Sequence, residues 1–170
     1  MTFPQFRVIQ LTKEHNKKLR GLFNSGSPAL DAYFQTRVTQ DTRSKVAKCY
    51  VAIQGDRIAG FYTLASMSLN LNELPPEYQK RLPRYPRVPA VLVGRLAVDR
   101  DFRDIGLGRV LIADALIKTI ESTAGNFALV VDAKDETSKS FYLHLDFIPL
   151  KSRPDTLFLP LADAIASQPE

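Results

Sequence analysis

A segment in the second half of the chain combines the residue types of a phosphate-binding turn. The apolar residues Leu96, Ala97 and Val98 lead into a turn and helix start formed by Arg103, Asp104, Ile105, Gly106, Leu107, Gly108 and Arg109. Backbone N–H groups at a helix start lack partners within the helix, and the positive end of the helix dipole adds to their attraction for an anion. Glycines let that backbone approach a ligand, and arginines add positive charge. The segment therefore predicts a site that holds phosphate groups.

Two common nucleotide-binding motifs do not explain this turn. The sequence contains no Gly-x-x-x-x-Gly-Lys-Ser/Thr run of the Walker type and no Gly-x-Gly-x-x-Gly run of the Rossmann type. The elements that precede the turn are also typical of an antiparallel hairpin rather than a βαβ unit. We therefore exclude both classes.

Basic residues are concentrated in two other segments. Between Tyr78 and Arg95 no acidic residue occurs, and between Arg37 and Lys48 the only acidic residue is Asp41. The basic members of the first segment are Lys80, Arg81, Arg84, Arg87 and Arg95, and those of the second are Arg37, Arg43, Lys45 and Lys48. Such surfaces attract polyanions, nucleic acid among them, and an ordinary solvated face is the alternative.

Length and composition favour one globular domain without a metal. The 170 residues, of which 45% are hydrophobic, are expected to form a single domain over residues 1–170 with a core that needs no disulfide. One cysteine cannot form an internal disulfide, and two histidines without ligand spacing predict no metal site. The apolar runs are too short to cross a bilayer, and residues 1–4 do not resemble a secretion signal. We expect a cytoplasmic protein that does not contact a membrane.

The elements that must position the turn follow from the apolar pattern. Strands are predicted at residues 6–11, 48–53, 57–64, 90–98, 127–131 and 157–159. Helices are predicted at residues 13–22, from Ser27 and Pro28 to about residue 42, from the glycine turn to before Gly125, and at 136–145. The proline-rich stretch Leu71 to Pro89 predicts a long loop with one helical turn at 77–81 and a substrate-facing role.

Arg95 is an exception within its strand. The strand is otherwise apolar and is expected to be buried on both faces. An arginine there must either form a structural salt bridge or face a cleft where it contacts a ligand, and the sequence leaves both alternatives open.

Turn and elements together resemble the acetyl-CoA site of the GNAT acyltransferases. Two family motifs, Arg/Gln-x-x-Gly-x-Gly/Ala and Phe-Tyr-x-x-x-Gly-Phe, are matched by Arg103, Gly106, Gly108, Phe141, Tyr142 and Phe147. Asp104 and Asp146 depart from the family pattern because glycine is common at both positions. The resemblance implies an α+β fold, an α/β sandwich whose central, mostly antiparallel mixed sheet contains a splayed strand pair and is flanked by helices.

Within this family the chain looks most like the toxins of type II toxin-antitoxin pairs, which acetylate the α-amino group of aminoacyl-tRNA. The similar segments are Phe23-Asn24-Ser25-Gly26, Leu30-Asp31, residues 59–64, Val88-Pro89, residues 94–99, Phe141-Tyr142 and residues 157–159. This resemblance implies acetyl-CoA as co-substrate and aminoacyl-tRNA as acceptor, so that translation is blocked. It also implies a ribbon-helix-helix antitoxin as partner and a homodimer.

The resemblance assigns a role to each candidate residue. The backbone of Leu96, Ala97 and Val98 would lie beside the pantetheine, with the Val98 N–H near the thioester oxygen. The remaining cofactor-binding residues are Arg103, Asp104, Ile105, Gly106, Leu107, Gly108, Arg109 and Phe141. Tyr142 would protonate the leaving thiolate, because a phenol with a pKa near 10 is protonated at pH 7. Contacts to the tRNA acceptor stem fall to Arg84, Tyr85, Arg87 and Arg95, together with the second basic segment, Arg37 to Lys48.

Two rival functions remain open from the sequence. One is a GNAT enzyme that acetylates a small amine or a protein N-terminus through the same cofactor site. The other is a binding module that holds acyl-CoA or RNA without chemistry, which the carboxylate of Asp104 favours and the intact Tyr142 opposes. An ordinary packed tyrosine is the alternative for Tyr142 itself.

Overall fold

The computed structural model describes residues 2–3 and 6–166, which form an α+β fold. The strands are β1 (Thr2–Phe3), β2 (Phe6–Gln10), β3 (Lys48–Gln54), β4 (Arg57–Asn70), β5 (Arg87–Val98), β6 (Ala128–Asp132), β7 (Ile148–Pro149) and β8 (Thr156–Pro160). The helices are α1 (Lys17–Gly21), α2 (Pro28–Thr36), α3 (Val38–Arg43), α4 (Pro76–Arg81), α5 (Leu107–Ile120), α6 (Glu136–His144) and α7 (Leu161–Ala166). Short 3-10 turns occupy Leu71–Glu73 and Arg100–Phe102.

The sheet is mixed, as the family resemblance implies. Within the described residues it has eight strands in the order β1-β2-β3-β4-β5-β6-β8-β7. The pairs β1–β2, β2–β3, β3–β4, β6–β8 and β7–β8 are antiparallel, whereas β5 and β6 run parallel. The parallel ladder ends where Val93 pairs with Val131, while β5 continues to Val98. The end of this ladder agrees with the predicted splayed strand pair.

The chain divides into two compact units. Unit 1 comprises Met1–Ala65 and Gly94–Ile117, and unit 2 comprises Ser66–Val93 and Lys118–Glu170. Strands β4 and β5 and helix α5 each contribute residues to both units. The single domain that the sequence predicts therefore stays a prediction.

In unit 1, helices cover both faces of β4. Successive side chains of a strand point to opposite faces, and here Phe61 packs in a core cluster with Phe34 of α2, their rings stacked 4.2 Å apart between centroids. The next residue, Tyr62, donates a hydrogen bond to Asp114 of α5. Helices α2 and α5 therefore lie on opposite faces of this strand, as in an α/β sandwich.

The helices near the N-terminus differ from the sequence prediction in their limits. Helix α1 starts only at Lys17, after the Asn16 side chain caps it, rather than at residue 13. Ser27 caps α2 as predicted, accepting from the Leu30 N–H, but the predicted long helix is interrupted at Arg37 and resumes as α3. The sequence gives no signal for this break because Arg37 is an ordinary helix former.

Unit 2 is organised around a separate apolar cluster. Its members are Leu69, Leu74, Tyr78, Val88, Ala90, Ala128, Val130, Leu150 and Phe158. The predicted long loop contributes Leu74 and Tyr78, and α4 forms the helical turn expected there. Strand β5 begins at Arg87 rather than residue 90, and β7 and α7 are additional elements that the sequence analysis missed. No helix in the described part of the chain is long and apolar enough to span a membrane.

Candidate functional site

A buried aspartate fixes the turn that follows β5. Asp99 accepts hydrogen bonds from the Asp101 N–H at 2.9 Å and from the Asn24 N–H at 2.9 Å. Arg57 adds an ion pair, with 3.4 Å between Nη2 and Oδ1 of Asp99. A buried carboxylate requires such partners, and two of them, Arg57 and Asn24, tie the turn to β4 and to the loop before α2. Sequence reasoning assigned Asp99 no role, although the residue closes a segment similar to the toxins.

The backbone of the predicted phosphate-binding turn passes through the left-handed region twice. Gly106 has φ +82°, a conformation that favours glycine, and its carbonyl accepts the first bond of α5 from the Val110 N–H at 3.2 Å. Asp104 has φ +63°, and aspartate is among the few side chains that tolerate this region. The family preference for glycine at position 104 thus has a conformational cause. Asp146, the other departure, likewise has φ +70°.

Charge and exposure at the start of α5 suit an anion. No acidic residue lies in the first turn of α5. The exposed residues of the turn and helix start are Arg103, Asp104, Ile105, Gly106 and Arg109; Leu96, Val98 and Gly108 are half-buried, and Ala97 and Leu107 are buried. Buried residues anchor the segment while the exposed ones leave the helix start accessible to a ligand.

Arg103 is held against the loop that precedes α2. Its Nη2 donates to the backbone carbonyl of Ser25, and an added Cβ at Gly26 would lie 2.8 Å from that same nitrogen. Gly26 has φ +85°, a conformation that favours glycine, whereas the end of the Arg103 side chain can shift away from an added Cβ. Asp31 fixes the loop from the other side, since Oδ1 accepts from the Ser25 N–H and hydroxyl at 2.9 and 2.6 Å. The similar segments Phe23–Gly26 and Leu30-Asp31 were the sequence signal for this loop.

Arg95 forms a contact that neither sequence alternative foresaw. Its guanidinium carbon lies 3.9 Å from the centroid of the Tyr33 ring, and its side chain is exposed. The Tyr33 hydroxyl donates to Asp41 at 2.8 Å. The Arg95 backbone N–H donates to the Thr63 hydroxyl at 3.0 Å. Arg95 is therefore stacked on an aromatic ring at the surface of unit 1.

In unit 2, Tyr142 has a buried ring between two other aromatic rings. The centroids of Phe141 and Phe147 lie 5.2 and 5.6 Å away, both in edge-to-face geometry. Burial, with a smaller contribution from Asp132, raises the pKa of Tyr142 to about 12. The sequence-based expectation of a pKa near 10 is therefore wrong, because it ignored desolvation of the phenolate.

The Tyr142 hydroxyl has no hydrogen bond to any residue that the structure describes. Every fully buried side-chain oxygen or nitrogen among those residues does have a partner. The Tyr142 oxygen must therefore reach the accessible surface, although the residue as a whole is only 8% exposed. Phe141 beside it is half-buried. The arrangement leaves the hydroxyl proton of Tyr142 available to a ligand that lies beside the aromatic rings.

The long loop predicted at residues 71–89 lies in unit 2 and is called the basic loop below. It is ordered by contacts at its base, and several of its basic residues are exposed. The Leu71 N–H donates to the Pro86 carbonyl at 3.0 Å, and Glu73 pairs with Arg153 at 2.7 Å. Next to this base, Arg84, Tyr85 and Arg87, the first residue of β5, are exposed, Tyr85 by 67%. Arg81 instead has structural contacts: its Cζ lies 4.5 Å from the Tyr78 ring centroid, and its Nη1 lies 3.5 Å from Oδ1 of Asp163. The loop thus separates one arginine with structural contacts from two that extend into solvent.

The predicted site residues are therefore divided between the two units. Unit 1 contains the β5 residues 95–98 and the turn residues 103–109, and unit 2 contains Phe141, Tyr142 and the exposed residues 84–87. None of the described His, Cys, Asp and Glu residues form a group that could hold a metal ion.

Comparison with known proteins assigns a class to this arrangement. The profile of the acetyltransferase (GNAT) domain matches residues 84–156. A tRNA-acetylating toxin of Mycobacterium tuberculosis is 34% identical over 146 residues, which cover 85% of this chain and 87% of the toxin. This chain belongs to the GNAT acetyltransferases.

Solved structures are similar over almost the whole chain. AtaT complexed with acetyl-methionyl-tRNAfMet has a TM-score of 0.85 and 28% sequence identity to this chain. The match covers 95% of this chain and 98% of the AtaT chain. An AtaT variant with phenylalanine in place of a tyrosine, bound to acetyl-CoA and the C-terminus of the antitoxin AtaR, has a TM-score of 0.78 and 25% identity, and covers 96% and 99%. Both neighbours share the fold described above.

Proposed function

We propose that this protein is a toxin that transfers the acetyl group of acetyl-CoA to the α-amino group of aminoacyl-tRNA and thereby blocks translation. The observation that carries the proposal is the Tyr142 hydroxyl, which sits on a buried ring and makes no hydrogen bond within the described residues. Its proton is available to a leaving group. Charged tRNA occurs in the cytoplasm, so we place the protein there as well.

The start of α5 fits the pyrophosphate of CoA. Its first N–H groups have no acidic neighbour in the first turn, and Gly106 turns the backbone before them. We assign the pyrophosphate to the turn, with Arg103 and Arg109 as flanking charges and Asp104, Ile105, Leu107 and Gly108 as its backbone. Leu96 and Ala97 would lie along the pantetheine and Phe141 beside it. Bound acetyl-CoA supplies the thioester carbonyl that the amine attacks.

Two groups of this chain then act on the reacting atoms. The Val98 N–H donates to the oxygen on which negative charge develops, which lowers the barrier. Tyr142 donates a hydrogen bond from Oη to the sulfur and passes its proton as the bond between the sulfur and the acetyl carbon breaks. The attacking nitrogen, which becomes cationic when its bond to that carbon forms, loses a proton to solvent, and solvent returns one to the Tyr142 oxygen. An ordinary thiol has a pKa of about 8.5, well below the pKa of about 12 of Tyr142, so the Oη hydrogen bond acts by stabilising the negative charge that develops on the sulfur.

An α-amino group suits a site without a strong base. Its pKa of about 7.7–8.0 leaves a useful neutral fraction at physiological pH, whereas the amine of a lysine, at about 10.4, is almost fully charged. The residues that we place at the reacting atoms, Val98 and Tyr142, include no base. The acceptor therefore arrives with its nucleophile already deprotonated.

The exposed residues at the end of the basic loop favour RNA as the acceptor. Arg84 and Arg87 are suited to phosphate oxygens, and the exposed Tyr85 ring to stacking on a base. AtaT, similar over 95% of this chain, is known in complex with acetyl-methionyl-tRNAfMet. We also propose a ribbon-helix-helix antitoxin as partner, which the AtaT complex with the AtaR C-terminus supports, and a homodimer.

One labelling experiment compares all acceptor classes. The protein is incubated with radiolabelled acetyl-CoA and charged bulk tRNA, and separately with small amines or peptides that have free N-termini. We expect the label on the aminoacyl end of tRNA, where it survives as N-acetyl amino acid after the ester is hydrolysed. Label on amines or peptides alone would identify the rival enzyme. Acetyl-CoA bound without any transfer would identify the non-catalytic module.

A further inference from the structure

Tyr33 connects Arg95 with a second group of cations in unit 1. The Tyr33 ring supports the Arg95 guanidinium at 3.9 Å, while its hydroxyl donates to Asp41 in the first turn of α3. Helix α3 and the residues that flank it carry the second basic segment of the sequence. Its cations are all exposed: Arg37, Arg43, Lys45 and Lys48. One tyrosine therefore contacts both Arg95 and the element that bears the basic segment.

Asp41 is the only acidic residue of this segment, and both its side chain and its backbone form hydrogen bonds within unit 1. Its carboxylate accepts from the Tyr33 hydroxyl at 2.8 Å, and its backbone carbonyl accepts from the Val46 N–H at 3.0 Å. The second bond closes the turn after α3, where Lys45 has φ +64°. The Asp41 backbone thus takes part in the turn after α3, and the Tyr33 hydroxyl fixes the Asp41 carboxylate.

The Tyr33 ring is rigid enough to position a side chain. It is 4% exposed, lies in the core cluster with Phe34 and Phe61, and is 6.5 Å from the Phe61 centroid in a stacked geometry. Burial and the hydrogen bond to Asp41 raise its pKa, so the hydroxyl stays a donor at any physiological pH. A guanidinium stacked on such a ring keeps its edge N–H groups free for a phosphate, and loses less conformational entropy when it binds.

We propose that Tyr33 is a positioning residue for RNA binding. It holds Arg95 and the cations of the α3 segment as one surface, the Tyr33 surface, defined as Arg95, Arg37, Arg43, Lys45 and Lys48. Its ligand is the phosphate backbone of the RNA acceptor. Several separate exposed cations suit the repeated charges of a nucleic acid. This inference rests on the proposed function for the identity of the RNA, and it adds the tyrosine and the aspartate that organise the surface.

A double-mutant cycle with bulk tRNA tests the positioning role. Arg95→Gln is expected to raise the KM for charged tRNA several-fold with kcat within twofold, and to lower the slope of log K against log salt for uncharged tRNA by about 0.7–0.9. Arg95→Lys keeps the charge but loses the planar stack, so the salt slope should hold while affinity falls. Tyr33→Leu should reproduce the Arg95→Lys loss, and combining Tyr33→Leu with Arg95→Gln should add little.

Three controls keep the outcome interpretable. Arg7→Gln removes the same charge from an exposed arginine outside the surface and should leave KM within twofold. The acetyl-CoA Kd, measured by calorimetry, should not change in any variant that folds. Tyr33→Phe keeps the buried ring and loses only the Asp41 bond, so it reports on the hydroxyl if Tyr33→Leu fails to fold.

The possible results separate this inference from the proposed function. If the wild type acetylates charged tRNA but the Arg95 and Tyr33 variants match it in KM and salt slope, the positioning role is wrong and the proposed function stands. If the wild type transfers no acetyl group to tRNA yet binds uncharged tRNA with the predicted coupling, the surface stands and the proposed function fails. If a polyglutamate peptide loses as much affinity as tRNA in Arg95→Gln and Tyr33→Leu, the surface recognises an acidic protein and the RNA assignment is overturned.

Discussion

Two buried tyrosines, Tyr62 in unit 1 and Tyr142 in unit 2, differ in what their hydroxyls contact. Burial raises the pKa of both. The Tyr62 hydroxyl donates to Asp114 at 2.5 Å, whereas the Tyr142 hydroxyl has no hydrogen bond within the described residues. Tyr33 and Tyr78 resemble Tyr62, with bonds to Asp41 and Asp163. A tyrosine bonded to a carboxylate stabilises the fold, while one that reaches the surface without a partner can serve a ligand.

Removal of the Tyr142 hydroxyl gives the largest expected effect. Tyr142→Phe should lower kcat by about 10²-fold, the usual size of a general-acid contribution. The acetyl-CoA Kd should stay unchanged because the ring and its aromatic neighbours remain. Steady-state rates with charged tRNA and calorimetry with acetyl-CoA measure the two quantities. Retained turnover would show that the unpartnered hydroxyl has no chemical role.

The pH dependence tests which group titrates. Tyr142 is protonated below its pKa of about 12, so it imposes no alkaline fall in rate across the usual assay range. The acceptor amine must be neutral, so kcat/KM should rise about tenfold per pH unit below its pKa of about 8 and then level off. A profile recorded from pH 6 to 10 checks this. A fall centred near pH 9 would mean that another acid protonates the thiolate.

The arginines of the basic loop repeat the same contrast on a smaller scale. Arg81 contacts Asp163 and Tyr78, whereas Arg84 and Arg87 have no ion pair within the described residues. Arg84→Gln and Arg87→Gln should each raise the KM for charged tRNA and lower the salt slope by about 0.7–0.9. Arg81→Gln removes the same charge and is expected to change KM less. Equal effects at all three positions would show that the loop acts only through its overall positive charge and not through particular exposed arginines.

Asp104 separates charge from backbone conformation in the phosphate-binding turn. Asp104→Asn removes the negative charge and keeps a side chain that tolerates φ +63°, so acetyl-CoA should bind a few-fold more tightly. Asp104→Gly should add the relief of backbone strain, about 1 kcal/mol, to folding stability. Calorimetry and thermal unfolding measure both changes. Weaker binding by Asp104→Asn would show that the carboxylate contributes to the turn.

Tyr62→Phe should have the smallest effect on turnover. The change is chemically identical to Tyr142→Phe but removes a bond to a buried carboxylate, so the free energy of unfolding should fall by about 1–3 kcal/mol. Urea unfolding and the kcat of the folded fraction separate stability from rate. A large loss of kcat with unchanged stability would reverse the assignment of the two tyrosines.

Local signals predicted most of the elements and the glycine turn before α5. The Ser27-Pro28 start of α2, the hairpin β3–β4 and the helical turn in the basic loop follow from capping, turn and proline chemistry. The departures from the family glycines, Asp104 and Asp146, were visible in the sequence too. Their cause was not, because a positive φ is a property of the folded backbone.

Contacts between distant residues account for what the sequence did not predict. The stack of Arg95 on Tyr33 joins residues far apart in the chain, and no pattern of neighbours announces it. Asp99 and Asp31 look like ordinary turn residues until the structure brings Asn24 and Ser25 to them. The raised pKa of Tyr142 depends on burial, which a motif match does not convey.

A single-turnover measurement tests the role of Tyr142 most directly, because it isolates chemistry from product release. Enzyme loaded with labelled acetyl-CoA is mixed rapidly with a small amount of charged tRNA, and N-acetyl aminoacyl product is counted over time for wild type, Tyr142→Phe and Tyr62→Phe. We predict that Tyr142→Phe slows this step by about 10²-fold and that Tyr62→Phe matches wild type. Equal rates for wild type and Tyr142→Phe would contradict the account.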